Sequence, residues 1–315
     1  MLQFLQLVAS GIAQGCIYGL LALGFVLIYK ATEAVNFAQG DLMMLGGFIG
    51  LGTSVALGMP FWIAFLATLI VMFLFGMLLE RVVLRPLLGH PSFTVVMVTI
   101  GIGFLSRGLV TMIPNWGTDT HVLPVPYRDE IVRIGGSGTE GGLVMPMEQI
   151  VIIGVTVLLI LGLYLLFRHT KIGIAMKATS QNQLAAFYMG IPVRRINMLV
   201  WGLSAAVSAC AGLLLAPITF VHANMGFIGL KAFPAAVIGG FGSIPGALVG
   251  GLIIGVVEML AGFYLPEGFK RHRRLRRRAD HAGGQAHRPV RRKPQEEGPA
   301  LMPKHSSFPR EAGTQ

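Results

Sequence analysis

Residues 1–29, MLQFLQLVASGIAQGCIYGLLALGFVLIY, contain no charged side chain. As a helix such a run outlasts the roughly 20 residues that a bilayer core requires. It has no basic start and stays apolar well past the roughly 7–15 residues of a secretory signal core, so it reads as a retained membrane span.

The rest of the chain agrees with that start. Hydrophobic residues make up 54% of the 315 and charged residues only 12%, and the mean hydropathy is +0.69. A soluble domain carries roughly 45–50% apolar and 25% charged residues, so a soluble fold is excluded. The expected fold is all-α, a polytopic transmembrane bundle. Apolar runs of spanning length are expected at about 5–29, 37–57, 61–79, 93–113, 150–167, 198–220, 233–249 and 252–265, giving seven to eight spans. The last two are interrupted by GGFGSIPG, Gly239 to Gly246. Broken backbone is tolerated at membrane depth only where protein or water surrounds it, which places this stretch near the bundle interior.

Lys and Arg in the loops set the orientation. Arg81 and Arg85 fall between the third and fourth runs, and Arg168, Lys171, Lys177, Arg194 and Arg195 between the fifth and sixth. Both loops are expected in the cytoplasm together with Lys30, with the amino terminus outside. The exterior stretch 114–148 includes GGSGTEGG, Gly135 to Gly142, which reads as a hairpin tip, since no Lys-Ser/Thr follows it as in a phosphate-binding loop. The cysteines, Cys16 and Cys210, are far apart within apolar runs and form no metal or disulfide pattern.

Two stripes of small residues recur at helical spacing, Gly11, Gly15 and Gly19, and Gly242, Gly246 and Gly250. Lipid gives helices no hydrophobic reason to associate, so such stripes read as close packing faces. Polar residues in spans are expensive and therefore informative. Asn36, Gln39 and Asp41 cluster at the start of the second run, where Asn36 and Gln39 at i, i+3 share a helix face. Arg107 interrupts the fourth run, where its long stem can snorkel, and Glu258 lies in the last. Asn36, Gln39, Asp41 and Glu258 are the candidate translocation path; the competing reading is ordinary interhelical hydrogen bonding.

Between spans, residues 168–195 read RHTKIGIAMKATSQNQLAAFYMGIPVRR, a basic segment with apolar runs on both sides. Its small residues, Ala185, Ala186 and Gly190, make it compact enough to dock in another protein's cleft.

Three segments in order, GCIYGLLALGFVLIY with AVNFAQGDLMMLGGFIG, then TKIGIAMKATSQNQLAAFYMGIPVRRINMLVWGLSAAVSACAGLLLAP, then GLKAFPAAVIGGFGSIPGALVGGLIIGVVE, resemble the LivH-type permeases of bacterial branched-chain amino acid ABC importers. The resemblance runs from about residue 5 to 270. It implies a transmembrane permease of the inner membrane that moves branched-chain or related amino acids. The implied partners are a second permease, identical or paralogous, two cytoplasmic ATPases and a periplasmic substrate-binding protein. It also implies that Thr179, Ala185, Ala186 and Gly190 form the coupling helix against an ATPase. Two positions depart from the family pattern: Leu184 stands where Glu is frequent, and Gln39 where His is frequent.

The chain contains no GxxxxGK[ST], HExxH or nucleophile elbow, so no catalytic residue, metal or cofactor is expected in it, and Mg-ATP is used by the partners. Urea or short amides are alternative substrates. An ion-coupled secondary transporter is a further alternative, with Glu33, Asp41 or Glu258 as the ion site. No specific nucleic-acid partner is expected.

Composition divides the chain at residue 270. Residues 1–270 hold 13 Lys+Arg and 10 Asp+Glu, whereas 271–315 hold 12 and 4. The resemblance calls for one more apolar helix where RHRRLRRRADHAGG begins. One reading of 271–315 is a disordered basic arm that binds anionic lipid or nucleic acid. The other is a shifted reading frame. Arg codons CGN read one base later before C become GNC, which encodes Val, Ala, Gly or Asp. Allowed codons for 271–297 then permit GIAAYVVVLIMLVVKPTGLFGENPKKK, an apolar run with a basic cap. The expected organisation is therefore a permease domain, 1–270, and a low-complexity tail, 271–315, out of frame and disordered.

Overall fold

The computed structural model describes residues 2–87, 90–114, 116, 117, 119–134 and 143–264. The expected hairpin tip at 135–142 and the basic tail at 271–315 lie outside the described residues.

Six helices are long and apolar enough to cross a membrane, at Gln3–Thr32, Phe61–Leu87, Ser92–Met112, Met147–His169, Val193–Thr219 and Ile244–Tyr264. In chain order the helices are α1 (Leu2–Thr32), α2 (Gln39–Leu51), α3 (Phe61–Leu79), α4 (Ser92–Met112), α5 (Met147–His169), α6 (Lys171–Gln181), α7 (Gln183–Tyr188), α8 (Val193–Thr219), α9 (Ile228–Gly239) and α10 (Ile244–Tyr264). Pro60, Pro91 and Pro146 stand in extended backbone immediately before α3, α4 and α5, where a missing N–H breaks no intrahelical bond.

Two places account for the difference from seven to eight full spans. The second expected run is not one helix from residue 37. The α1 helix stops where Glu33 takes a left-handed φ of 53°, and residues 33–38 are non-helical although Ala34, Asn36 and Ala38 are buried. Asn36 Oδ1 accepts the Ala38 N–H at 3.0 Å, a local bond that competes with helix formation. Helix α2 then has 13 residues and continues only as a π-helical turn over Gly52–Ala56.

The expected seventh and eighth runs also divide elsewhere. A 3-10 turn (Ala223–Phe227) leads into α9, and the break falls at 240–243, inside the GGFGSIPG interruption and ahead of the run boundary near residue 250. Gly240 has φ +81°, a conformation that glycine adopts without strain. Ser243 Oγ accepts the Gly246 N–H at 3.1 Å and so caps α10, while Pro245 sits in the first turn where it is tolerated.

Helices α1 and α8 form the centre, with 89% and 78% of their apolar windows buried, against 17–33% for α3, α4, α5 and α10. The outer helices turn apolar stripes such as Leu66, Ile70 and Leu74 outward, as a lipid-facing surface requires. Glycine admits the close approaches. A Cβ on Gly11 would lie 2.8 Å from Val256 Cα, and one on Gly15 2.7 Å from Leu252 Cα, so α1 and α10 touch backbone to backbone. Gly19 meets Leu248, Gly246 meets Gly239 and Gly250 meets Ala235, whereas Gly242 lies in the 240–243 turn with open space around it and packs nothing.

Strands β1 (Ile131–Ile134) and β2 (Leu143–Pro146) pair antiparallel beside the start of α1, where Gln6 Nε2 donates to Val144 O at 3.3 Å. Nearby, burial among Phe61 and Trp62 pushes the Tyr127 phenol above its ordinary pKa, and the Glu148 carboxylate adds to the rise. Lys30, Arg81, Arg85, Arg168, Lys171, Lys177, Arg194 and Arg195 gather at the opposite helix ends. By the excess of Lys and Arg, that end is expected to be cytoplasmic and the hairpin exterior.

Candidate translocation site and coupling surface

The interrupted α1–α2 connection reaches the middle of the bundle. Gln39, the first residue of α2, meets Gly24 of α1 and Ser204 and Ser208 in the middle of α8. Its side-chain amide donates to both serines, at 3.1 Å for Ser204, while its Oε1 accepts from Asn36 Nδ2 at 3.1 Å. Ser204 Oγ also lies 3.0 Å from Gly24 O. Asn36 and Gln39 are both 0% exposed. Asn36 precedes the helix, so the two residues are not neighbours on a helix face; they meet by closing a polar knot over the break. Each buried polar atom in this knot has a partner, as the low dielectric demands.

Asp41 faces away from the knot. Its Oδ1 accepts from Arg107 Nη2 of α4 at 2.6 Å, and the two side chains are only 10% and 17% exposed. Arg107 is thus directed at a protein partner. Its guanidinium lies 4.0 Å from the centre of the Phe227 ring and 5.9 Å from that of Phe104, where the ring faces attract a cation. The pair borders a cavity of about 220 Å³ whose other walls include Ile100 and Leu230.

Glu258 joins neither group. Its carboxylate accepts from Lys231 Nζ of α9 at 2.6 Å and from the Tyr18 hydroxyl of α1 at 2.5 Å. Among the described residues no group of His, Cys, Asp and Glu is arranged to hold a metal ion.

At the cytoplasmic end, α6 and α7 form a compact elbow. Thr170 Oγ1 caps α6 by accepting the Gly173 N–H at 3.0 Å, and Asn182 Oδ1 caps α7 by accepting the Ala185 N–H at 2.9 Å. Thr179 and Ala186 are buried, and Thr179 Oγ1 donates within its own helix to Ala175 O at 2.9 Å. Gly190, with φ +81°, turns the chain toward α8. Four large apolar side chains face outward: Leu184 and Phe187 are each 64% exposed, Tyr188 77% and Met189 82%.

Residues 7–275 match the family described as the permease component of the branched-chain amino acid transport system. The chain belongs to this permease family. The permease is 32% identical over 279 residues to the high-affinity branched-chain amino acid transport system permease protein LivH of Salmonella typhimurium, covering 85% of this chain and 89% of that protein. It is 31% identical over 277 residues to the permease protein BraD of Pseudomonas aeruginosa, with 85% and 89% covered. With the probable permease protein LivH of Methanocaldococcus jannaschii it shares 32% over 263 residues, covering 79% and 78%. No solved structure matches it. It is a multi-pass inner-membrane permease subunit of an ABC importer.

Three partnerships in the permease were not legible in its sequence. Ser204 and Ser208 stand four apart on one face of α8, a signal that marks a polar stripe but not its occupant. Arg107 and Asp41 are both conspicuous in apolar surroundings, yet only the fold pairs them. Gln183, at the start of α7, donates its side-chain amide to Ala31 O in the last turn of α1, and nothing in the local sequence points to it.

Proposed function

We propose that this permease carries branched-chain amino acids inward, driven by ATP hydrolysis on two separate cytoplasmic subunits and supplied by an exterior binding protein. The observation that carries the reading is the elbow of α6 and α7. Four large apolar side chains, from Leu184 to Met189, project into water at the cytoplasmic end, flanked by Arg194 and Arg195. A membrane protein gains nothing by exposing such a patch to solvent unless a partner covers it. Thr179, Ala185, Ala186 and Gly190 give the elbow its compactness, and the exposed row supplies the contact area. The chain itself hydrolyses nothing; Mg-ATP binds the partners. A second permease, identical or paralogous, completes the membrane part.

The bond from Gln183 to Ala31 O supports a route for the motion. Displacement of the elbow by the closing ATPases pulls on the end of α1 and so on the break at 33–38, where Asn36 and Gln39 close the path and Asp41 borders it. Such hinge motion of rigid elements about an irregular segment is a common switching mode. Glu258 belongs to the same path only if α9 and α10 move with it. The test is reconstitution with the two ATPases and the binding protein: ATP-dependent leucine uptake is expected, and uptake of urea in its place would overturn the substrate assignment.

We also propose that residues 271–315 are the product of a shifted reading frame and that the permease domain proper is 1–270 extended by a further span. Antiparallel packing on α1 brings the end of α10 to the exterior side. A run with six Arg in eight residues, as at 271–278, is disfavoured on that side. The alternative frame supplies an apolar span and a basic cap, which returns the chain to the cytoplasm.

A further inference from the structure

We infer that the Asp41–Arg107 pair is a binding site for the zwitterionic backbone of a free amino acid on its way through the membrane. The inference rests on the importer reading above and deepens it.

A carboxylate and a guanidinium largely buried in a membrane bundle need a reason. Removing two charges from water costs more than their attraction commonly returns, and apolar residues of similar volume pack as well or better. The pair contributes nothing to orientation, which the cytoplasmic cations already set. Nor is it a sealed structural bridge. It borders a cavity of about 220 Å³, Arg107 Nε is buried without a hydrogen-bond partner, and Arg107 lies against Phe227 instead of further acceptors.

The cavity, open on the side where Phe104, Phe227 and Leu230 are half to two-thirds exposed, combines two opposite charges with walls that are otherwise apolar. Its volume corresponds to about seven waters at ~30 Å³ each, the size of one small amino acid. A free amino acid carries the complementary set: an α-carboxylate for the forked guanidinium, an α-ammonium for Asp41, and an aliphatic side chain for the walls. When the zwitterion enters, the single pair opens into two pairs. Net charge in the site is zero before and after, so no isolated charge is left in the apolar surroundings. Urea or a sugar offers the opened pair hydrogen bonds but no counter-charges, and an amine without a carboxylate leaves Arg107 unpaired. The site thus selects for zwitterions before it selects for side chains.

The test uses the assembled importer in proteoliposomes, with Cys16 and Cys210 replaced by Ala and a reporter Leu230→Cys in the cavity wall. The rate of modification by a membrane-impermeant methanethiosulfonate is measured during ATP turnover, with the binding protein present, in L-leucine, isopentylamine or urea. Modification is expected to proceed in their absence, to slow severalfold in leucine, and to be unaffected by the amine and urea. Adding Asp41→Asn is expected to abolish the protection. A reporter that never reacts, or that leucine does not protect, overturns the site, as does equal protection by isopentylamine or urea. Uptake by the same vesicles separates the two readings: leucine uptake without protection rejects the site alone, whereas absence of leucine uptake by the unmodified importer rejects the importer reading as well.

Discussion

Gln183, the first residue of α7, donates its side-chain amide to the carbonyl oxygen of Ala31, one residue before the end of α1. One hydrogen bond thereby joins the α6–α7 elbow to the helix whose end precedes the break at 33–38. Replacing Gln183 with Ala is expected to leave expression and ATPase docking intact while uncoupling hydrolysis from transport. The number of ATP molecules hydrolysed per leucine imported should rise, and an unchanged ratio would remove this bond from the coupling route.

Docking itself should depend on the exposed row of α7. Phe187→Asp places a charge in the centre of the apolar patch, where burial of an unpaired carboxylate is costly. Co-purification of the ATPase subunits should be lost, and ATP-driven uptake with it, while the variant still inserts in the membrane.

The α1–α10 seam tolerates no side chain at Gly15, since a Cβ there would stand 2.7 Å from the Leu252 backbone. Gly15→Val should cost about 1–3 kcal/mol, the usual range for overpacking, and lower the thermal midpoint in detergent. The same change at Gly242, which lies in open space, is expected to cost far less.

Within the polar knot, Gln39→Leu leaves Asn36 Nδ2 without its acceptor and takes the amide donor from Ser204 and Ser208. Unsatisfied buried groups cost about 1–3 kcal/mol each. The variant should unfold at lower temperature than Ser204→Ala, which removes one partner and leaves Gln39 bonded to Ser208.

Restoring the frame after Lys270 should raise assembly with the partner subunits and leucine uptake. Equal uptake by the two versions would refute the frame-shift reading.

The spans that sequence reading placed well, the first, third, fourth, fifth and sixth, are long apolar runs bounded by charge or proline, so hydropathy alone defines them. Hydropathy is less exact at helix ends. Residues 30–36 already fall between the first two expected runs, but only the structure shows that Ala34, Asn36 and Ala38 in this break are buried and that the Asn36 side-chain bond holds the backbone out of the helix. Between α9 and α10 the GGFGSIPG interruption is legible in the sequence, and a single left-handed glycine and a serine cap fix the break within it at 240–243. At the candidate site, the polar residues were visible but their partnerships were not. Asp41 and Arg107 lie 66 residues apart and Gln183 and Ala31 152, separations at which no periodicity speaks.

The seam between α1 and α10 also bears on how the permease is made. Tyr18 and Glu258, which bond across it, are 240 residues apart. At ~5–20 residues per second the ribosome needs roughly 12–50 s to supply the second after the first. Throughout that interval the first helix waits in the bilayer with its small-residue face bare and open to wrong partners. The seam therefore acts as a checkpoint late in synthesis: only a chain translated through α10 can hide the seam glycines of its first helix.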